Sequence, residues 1–272
     1  MTTPNSHQRM PQAGEMGQQI TTLSNRWANC RIGITGASGS MGKALTHQLR
    51  SKGAVVIGFT HRPIPSSEQS TYTPQEWVHW ECGKEASLKS ILGSLDVLVL
   101  NHGINLQGRQ TNKDINISLE VNALSSWRLM ELFESLVLKA QPATRPRELW
   151  VNTSEAEIQP ALSPTYELSK RLIGQLVSLR WNNLTTDQRK AIRIRKLVLG
   201  PFRSELNPIG LMSADFVAGQ VIRQANLGLN LIIVTPNPLT YLLMPLTELG
   251  RMIYSQLLRA GSPDNQQQSS AN

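Results

Sequence analysis

The chain has 272 residues, of which 40% are hydrophobic and 17% charged, with a formal net charge of +8. That length buries a core without disulfides or structural metals, and its two cysteines, Cys30 and Cys82, exclude a disulfide scaffold and favour a reducing compartment. Because the sequence shows no apolar stretch of signal-peptide or membrane-spanning length, we expect a cytoplasmic protein. Basic residues are scattered and aromatic residues make up only 5%, so no nucleic-acid partner is expected.

Residues 26–261 are predicted to form one domain, because no linker or internal repeat divides them. Residues 1–25 and 262–272 are polar and glutamine-rich, and we expect a disordered arm and a disordered tail. Between them, short apolar runs alternate with longer segments of helical periodicity. This pattern predicts an α/β fold, a Rossmann-type doubly wound parallel sheet of about seven strands with helices on both faces. The predicted strands are Arg31–Gly36, Ala54–Thr60, Trp77–Glu81, Leu95–Asn101, Glu148–Thr153, Arg193–Leu199 and Leu231–Thr235.

The first predicted strand runs into a glycine-rich turn, GASGSMG, which is followed by a helix. In such a turn Gly36 permits the tight bend, Gly39 lets the backbone approach a pyrophosphate, and Gly42 allows close packing of helix on strand. The start of the helix offers N–H donors to an anion. A glycine-rich loop without a ligand is the alternative, but the order of strand, turn and helix favours a dinucleotide. The predicted contacts are Gly36, Ser38, Gly39, Ser40, Met41 and Gly42.

The end of the second predicted strand bears on the choice of cofactor. A site that prefers NAD usually carries a carboxylate here, which accepts hydrogen bonds from the ribose hydroxyls. This chain has Thr60 at that place, followed by His61 and Arg62. The missing acid and the nearby guanidinium favour NADP(H) over NAD(H). Alternatively, Arg62 is a solvated loop residue.

Tyr166 and Lys170 are four residues apart, a spacing that places both side chains on one face of a helix. A nearby ammonium favours the phenolate and so lowers the pKa of the tyrosine. The pair is therefore a candidate for proton exchange during interconversion of a carbonyl and an alcohol. By itself the spacing is weak evidence.

Further polar residues follow other predicted strands. Ser154 ends the strand LWVNTS, and Asn101, His102 and Gly103 follow the fourth strand. The carboxyl ends of parallel strands meet at one edge of the sheet, which is where ligands of open α/β folds bind. Asn122 lies in a long predicted helical stretch, 114–138. Alone, these residues are better explained as turn, packing or satisfied helical residues.

Taken together, these motifs resemble the short-chain dehydrogenase/reductase family over about residues 29–235. TGASGSMG resembles the family's cofactor turn, NHG its fourth-strand signature, VNALSSW the helix that carries its asparagine, and VNTS with YELSK its serine, tyrosine and lysine. The resemblance implies that Tyr166 exchanges the proton, Ser154 polarises the carbonyl, Lys170 also binds the nicotinamide ribose, and Asn122 holds a relay water.

The resemblance also extends the expected cofactor site. LGPFRSEL resembles the segment that closes over the nicotinamide, and the spacing of Gly36, Gly39 and Gly42 is closer to the extended branch of the family. The remaining expected cofactor residues are Glu81, Cys82, Asn101, His102, Gly103, Tyr166, Lys170, Gly200, Pro201, Phe202 and Ser204.

The phrases INHGIN, VNTSEAE and NPLTYLL are similar to a narrower group of bacterial short-chain dehydrogenase domains, some of them fused behind a sterol-desaturase-like membrane domain. No such partner domain is visible in this sequence. The resemblance implies a small-molecule carbonyl or alcohol substrate that is lipid-like.

Two groups of charged residues have no clear place in this scheme. The cluster RKAIRIRK, 189–196, alternates as the exposed edge of a strand does. Glu155 and Glu157 follow Ser154, where they either select a polar or cationic substrate or face solvent; we favour solvent. The dispersed histidines and cysteines lack paired ligand spacing, so no metal site is expected.

The segment 237–260 is more apolar than a solvated tail and is interrupted by Pro245. We expect it to be helical and to cap the core or pack in a subunit interface; peripheral contact with the cytoplasmic face of a membrane is the alternative. The family resemblance implies a homo-oligomer that pairs through helices 114–138 and 163–182.

The sequence thus predicts an NADP(H)-dependent oxidoreductase that interconverts a carbonyl and an alcohol through Asn122, Ser154, Tyr166 and Lys170. Two other classes stay open. One is a non-catalytic dinucleotide-binding redox sensor, and the other is a lipid-associated auxiliary protein.

Overall fold

The computed structural model describes residues 26–64, 70–141 and 143–260. The arm and tail that the sequence predicts to be disordered, 1–25 and 262–272, lie outside the described residues.

A parallel sheet of seven strands forms the centre of the fold, in the order β3-β2-β1-β4-β5-β6-β7. The predicted α/β class and strand number are confirmed. The inner strands are largely buried because helices cover both faces of the sheet; all four residues of β4 are buried, for example, whereas the edge strand β3 is partly exposed. The strands are β1 Arg31–Thr35, β2 Val55–Thr60, β3 Glu76–His79, β4 Val97–Leu100, β5 Arg147–Ser154, β6 Ile192–Leu199 and β7 Leu231–Val234.

Helices cover both faces of the sheet, and all but the last, which follows β7, lie between strands in the chain. They are α1 Ser40–Arg50, α2 Lys89–Gly93, α3 Asn112–Leu119, α4 Ser125–Lys139, α5 Pro164–Asn183, α6 Thr186–Ala191, α7 Ala214–Asn226 and α8 Pro238–Ala260. Apolar residues of α1 and α7 pack on one face of the sheet, and those of α2, α4 and α5 pack on the other. The stretch predicted as one helix, 114–138, is divided between α3 and α4 by a π-helical turn, Glu120–Leu124.

The prediction that the cluster 189–196 is the exposed edge of a strand is wrong. β6 lies inside the sheet between β5 and β7, and Arg195 and Lys196 are fully buried. Both side chains have acidic partners, as buried charges require. Arg195 donates two hydrogen bonds to Glu148, of 2.8 and 2.9 Å, and Lys196 donates one of 2.6 Å to Glu157.

The apolar C-terminal segment is helical, and α8 continues through Pro245. Over the ranges that the structure describes, no helix combines the length and the apolar character needed to cross a bilayer.

Candidate active site

A cavity of about 370 Å³ opens at the carboxyl edge of the sheet. It lies over β1, where the strand order reverses between β2 and β4, the place where open α/β sheets bind their ligands. Of the predicted cofactor residues, all line this cavity except Gly42 and Pro201.

The glycine turn has the backbone geometry that a dinucleotide requires. Gly36 has a φ of +64°, and a Cβ there would lie 2.9 Å from the Cα of His102. A Cβ on Gly42 would lie 2.3 Å from the carbonyl oxygen of Gly36, so this glycine lets α1 pack on the turn rather than contact a ligand. Helix α1 begins after Gly39 without a side-chain cap, and its first turn holds no acidic residue. The first N–H groups of α1 therefore suit a phosphate.

Pro201 was predicted to contact the cofactor and does not line the cavity. Its carbonyl oxygen accepts hydrogen bonds from the backbone N–H groups of Leu211 and Met212, at 2.9 and 3.4 Å. Pro201 thus closes the loop between β6 and α7, while its neighbours Gly200 and Phe202 line the cavity.

The end of β2 carries hydroxyls in place of a carboxylate. Thr60 is buried, its Oγ1 accepts a hydrogen bond of 3.0 Å from the N–H of Arg62, and it lies 3.5 Å from the Ser38 hydroxyl. The Arg62 guanidinium forms an exposed ion pair of 3.1 Å with Glu205, which also lines the cavity. This pair spans the cavity between the end of β2 and the loop after β6.

Ser154, Tyr166 and Lys170 come together where β5 ends beside α5. The Ser154 hydroxyl acts on the Tyr166 phenol and lowers its pKa. The Lys170 ammonium lies 5.6 Å from the centre of the Tyr166 ring and donates a hydrogen bond of 3.1 Å to the carbonyl oxygen of Asn152. Tyr166 and Lys170 line the cavity, whereas Ser154 is buried and is not one of the lining residues.

The expected lowering of the Tyr166 pKa is wrong. Burial raises this pKa and outweighs the effect of the Ser154 hydroxyl, which lowers it; the nearby carboxylate of Glu155 raises it further. Burial also lowers the pKa of Lys170 to about 8. At neutral pH the site therefore holds a protonated phenol beside an ammonium that loses its charge in mildly alkaline solution.

Asn122 lies on the π-helical turn and, among the described residues, is not one of those that line the cavity. Its side chain is buried and clamps the loop after β4, since it accepts a hydrogen bond of 2.7 Å from the N–H of Ile104 and donates one of 2.9 Å to the Ile104 carbonyl. It also donates to the Ser169 hydroxyl at 2.9 Å, which links the turn to α5 next to Lys170. In this geometry Asn122 positions backbone, and its role with a relay water stays a prediction.

The expectation that Glu155 and Glu157 face solvent is wrong. Glu155 accepts a hydrogen bond of 2.5 Å from the Thr235 hydroxyl and a longer one of 3.3 Å from Thr240. Glu157 is buried against Lys196. Both carboxylates hold the turn after β5 to the C-terminal part of the chain.

Two residues that sequence reasoning missed, Thr35 and Asn152, support this site. Thr35 ends β1, and its hydroxyl accepts a hydrogen bond of 2.9 Å from the N–H of Asn101 and lies 2.8 Å from Nδ1 of His102. Burial lowers the pKa of His102 to about 3, so its ring is neutral. The Asn152 amide donates to Asn101 at 2.9 Å. The signal shared by Thr35 and Asn152 is position, because both lie in the last residues of a strand at the same edge of the sheet.

The cavity also has apolar walls whose residues were not among the predicted site residues. These are Phe59, Trp80, Ile104, Ile117, Val121, Leu199 and Leu206.

Comparison with known proteins identifies the family. The model of the NAD dependent epimerase/dehydratase family matches residues 32–170, about half of the chain. The chain belongs to this family. The match agrees with the glycine spacing, which predicted the extended branch of the short-chain dehydrogenases.

The chain is similar to one curated protein in sequence and to several solved structures in fold. The monoglucosyldiacylglycerol epimerase of Synechocystis is 42% identical over 226 residues, which cover 82% of this chain and 53% of that protein. The chain thus spans about half the length of the curated relative it matches. Among solved structures, aldohexose dehydrogenase of Thermoplasma acidophilum has a TM-score of 0.63 at 15% identity, covering 78% of this chain and 94% of that one. BdcA in complex with NADPH has a TM-score of 0.60 at 17% identity, covering 76% and 93%. These two structures share the fold.

Proposed function

We propose that this family member inverts a secondary alcohol carbon in the sugar head group of a glycolipid, through oxidation and re-reduction with NAD(P). The observation that carries the chemistry is that Tyr166 and Lys170, whose ammonium lies 5.6 Å from the centre of the phenol ring, line a cavity whose glycine turn suits a dinucleotide. The substrate class comes from the 42% identical relative, whose name specifies both a glycosylated diacylglycerol and epimerisation.

A nicotinamide dinucleotide, when bound, supplies the group that takes a hydride from carbon and returns it. After the resting phenol has released its own proton to solvent, the phenolate form of Tyr166 accepts the hydroxyl proton as that carbon loses its hydride and becomes a ketone. The same phenol gives the proton back when the hydride returns to the opposite face of the carbon. Ser154 lies beside Tyr166 and can hydrogen-bond the reacting oxygen, and the Lys170 ammonium favours the phenolate form. The net change is one inverted centre, with no consumption of cofactor.

A net carbonyl–alcohol oxidoreductase is the second candidate. It uses the same residues but releases reduced or oxidised cofactor. The protonated state of Tyr166, which follows from the burial that raises its pKa, favours proton donation to a carbonyl oxygen and hence the reducing direction.

We further propose that the cofactor is NADP(H) rather than NAD(H). Thr60 stands in place of the acid that would repel a 2′-phosphate, and Arg62 at the cavity wall can pair with it. Because Glu205 already pairs with Arg62, a phosphate competes with this carboxylate for the guanidinium.

Assays with monoglucosyldiacylglycerol in detergent micelles test the proposal. The protein is incubated with NADP⁺ or NAD⁺, nicotinamide absorbance is followed, and the released head-group sugar is identified by chromatography. An inverted sugar without accumulation of reduced cofactor supports the epimerase. Stoichiometric reduced cofactor with a keto product indicates the net oxidoreductase. Cofactor binding without either product would refute both and leave a non-catalytic dinucleotide-binding module.

A further inference from the structure

Helix α8 presents its apolar side chains outward. The residues that face the protein body are mostly polar: Thr240, Glu248 and Arg251 lie inward, together with the buried Met244. A helix on a water-exposed surface normally has the opposite arrangement. Ten large apolar side chains of this helix are exposed: Leu239, Tyr241, Leu242, Leu243, Leu246, Leu249, Met252, Ile253, Tyr254 and Leu257.

Charged groups fix α8 in this orientation. Lys196 on β6 donates hydrogen bonds to Glu157, at 2.6 Å, and to Glu248 of α8, at 2.8 Å. Arg251 of α8 donates to the same two carboxylates at 2.6 and 2.8 Å. Gly174 of α5 makes room for this cluster, because a Cβ there would lie 2.1 Å from the Glu157 carboxyl carbon. Rotation of α8 to bury its apolar side would break these buried ion pairs.

The first turn of α8 is held beside the active site. Asn237, just before the helix, donates a hydrogen bond of 2.6 Å to Gln159, and Gln159 donates one of 2.8 Å to Thr240. Gln159 lies in the turn that follows β5, and Ser154 is the last residue of that strand. The apolar side of α8 therefore begins at the sheet edge where the cavity opens.

Loops at the same edge add further exposed apolar side chains. Leu162 precedes α5 and is 95% exposed, while Ile209 and Leu211, between β6 and α7, are 79% and 75% exposed. Phe216 in the first turn of α7 is 53% exposed. Leu206, from the same loop as Ile209, lines the cavity itself. Exposed apolar surface of this extent marks a site of interaction.

We propose that the outward side of α8 and the residues Leu162, Ile209, Leu211 and Phe216 form a docking surface for a lipid bilayer. Docking by this surface brings the mouth of the cavity to the head-group layer. That a lipid of this bilayer is the substrate rests on the proposed function. Binding to the bilayer itself does not depend on that function.

Charge and position favour a bilayer over a second copy of the chain. The one acidic residue of α8, Glu248, points inward and is paired, and the chain carries a net charge of +8, which attracts anionic lipid. A second copy seated on both α8 and the loops would cover the edge where the cavity opens. A bilayer that covers the same edge would deliver the lipid head group.

Co-sedimentation with vesicles of phosphatidylcholine and phosphatidylglycerol tests the surface. Leu242, Leu246 and Leu249 lie on one stripe, and replacing all three with glutamate should lower the bound fraction at least about tenfold. The single variant Leu246→Glu should lower it by less, and it provides a reading if the triple variant fails to fold. The matched control is Leu227→Glu, 70% exposed at the end of α7 on the opposite edge of the sheet, which should bind like wild type.

NADPH binding should be unchanged in all three variants, which separates docking from the integrity of the active site. The proposal would be overturned if wild type did not bind vesicles. It would also be overturned if wild type bound vesicles and both α8 variants bound them equally well. Light scattering that shows a wild-type dimer, a monomeric triple variant and no vesicle binding would overturn it as well, because the surface would then join two copies. Failure of epimerisation in micelles, with vesicle binding intact, would overturn only the proposed function.

Discussion

Lys170 donates a hydrogen bond from Nζ to the backbone carbonyl oxygen of Asn152 at 3.1 Å, and this bond fixes α5 to the end of β5. The same ammonium lies 5.6 Å from the centre of the Tyr166 ring. A strand end thus sets the distance between the cation and the phenol. Burial lowers the pKa of Lys170 to about 8, so this site changes charge within an experimentally accessible range.

The first prediction concerns the pH dependence of stability. The pKa of Lys170 falls from 10.5 to about 8 on folding, so the unfolded chain binds more protons between these values and stability rises with pH. The stabilisation is complete above 10.5 and is lost as the pH falls towards 8. The Lys170→Met variant lacks this dependence. Its free energy of unfolding relative to wild type should therefore fall by about 3 kcal/mol across that window.

Urea denaturation of both proteins at several pH values measures the difference. The comparison removes the contribution of other lysines, which titrate in both proteins. A difference that does not change with pH would contradict a buried ammonium at this position.

The second prediction concerns the glycine turn. A Cβ on Gly42 would meet the backbone of Gly36 and Ala37 at 2.3 to 2.9 Å, and backbone yields less readily than a flexible side chain. Gly42→Ala should lower the free energy of unfolding by about 2 kcal/mol and weaken dinucleotide binding. Gly93→Ala in α2 is the control, since a Cβ there meets no atom within 4 Å. Denaturation and fluorescence titration with NADPH measure both effects, and equal behaviour of the two variants would contradict the packing role of Gly42.

The third prediction concerns cofactor choice. Arg62→Ala should weaken NADPH binding about tenfold and leave NADH binding nearly unchanged, because only NADPH carries the 2′-phosphate. Glu205→Gln should strengthen NADPH binding, because it releases Arg62 and removes a negative charge from the cavity wall. Arg203→Ala, an exposed arginine on the same loop, is the control. Titration calorimetry measures the affinities. Equal loss of both cofactors in Arg62→Ala would count against the NADP(H) assignment.

The fourth prediction concerns the buried charges beneath α8. Lys196→Met leaves Glu157 and Glu248 with one cation between them, so the free energy of unfolding should drop by about 3–5 kcal/mol. Lys190→Met removes an exposed pair with Asp187 and should cost less than about 0.5 kcal/mol. Chemical denaturation of both variants makes the comparison. A Lys196→Met protein as stable as Lys190→Met would show that the cluster does not hold α8.

The sequence predicted those features that depend on local pattern. Short apolar runs between the helical segments located all seven strands to within about two residues. The run is continuous in β2, as expected for a strand that is covered on both faces. Because parallel strands share one carboxyl edge, the same runs also predicted that Ser154 lies at the ligand-binding edge of the sheet. The spacing of the glycines indicated the turn without any structure.

Features that depend on register could not be predicted in this way. The cluster 189–196 alternates basic and apolar residues, as an exposed strand edge does. The partners of Arg195 and Lys196, which are Glu148 and Glu157, lie far away in the sequence. Only the pairing of β5 with β6 shows that these charges neutralise one another. The pKa of Tyr166 was predicted with the wrong sign because spacing revealed Lys170 but not the depth of burial, which is the larger effect. The inverted orientation of α8 likewise follows from contacts distant in sequence.

The most direct test of the central claim is the turnover of Tyr166→Phe compared with Tyr72→Phe, a control at an exposed tyrosine outside the cavity. Both are assayed with the glycolipid in micelles after NADPH affinity has been measured. We predict that Tyr166→Phe binds NADPH like wild type and inverts the head-group sugar at least about a hundredfold more slowly, while Tyr72→Phe retains full activity. Undiminished turnover by Tyr166→Phe would contradict proton exchange by this phenol.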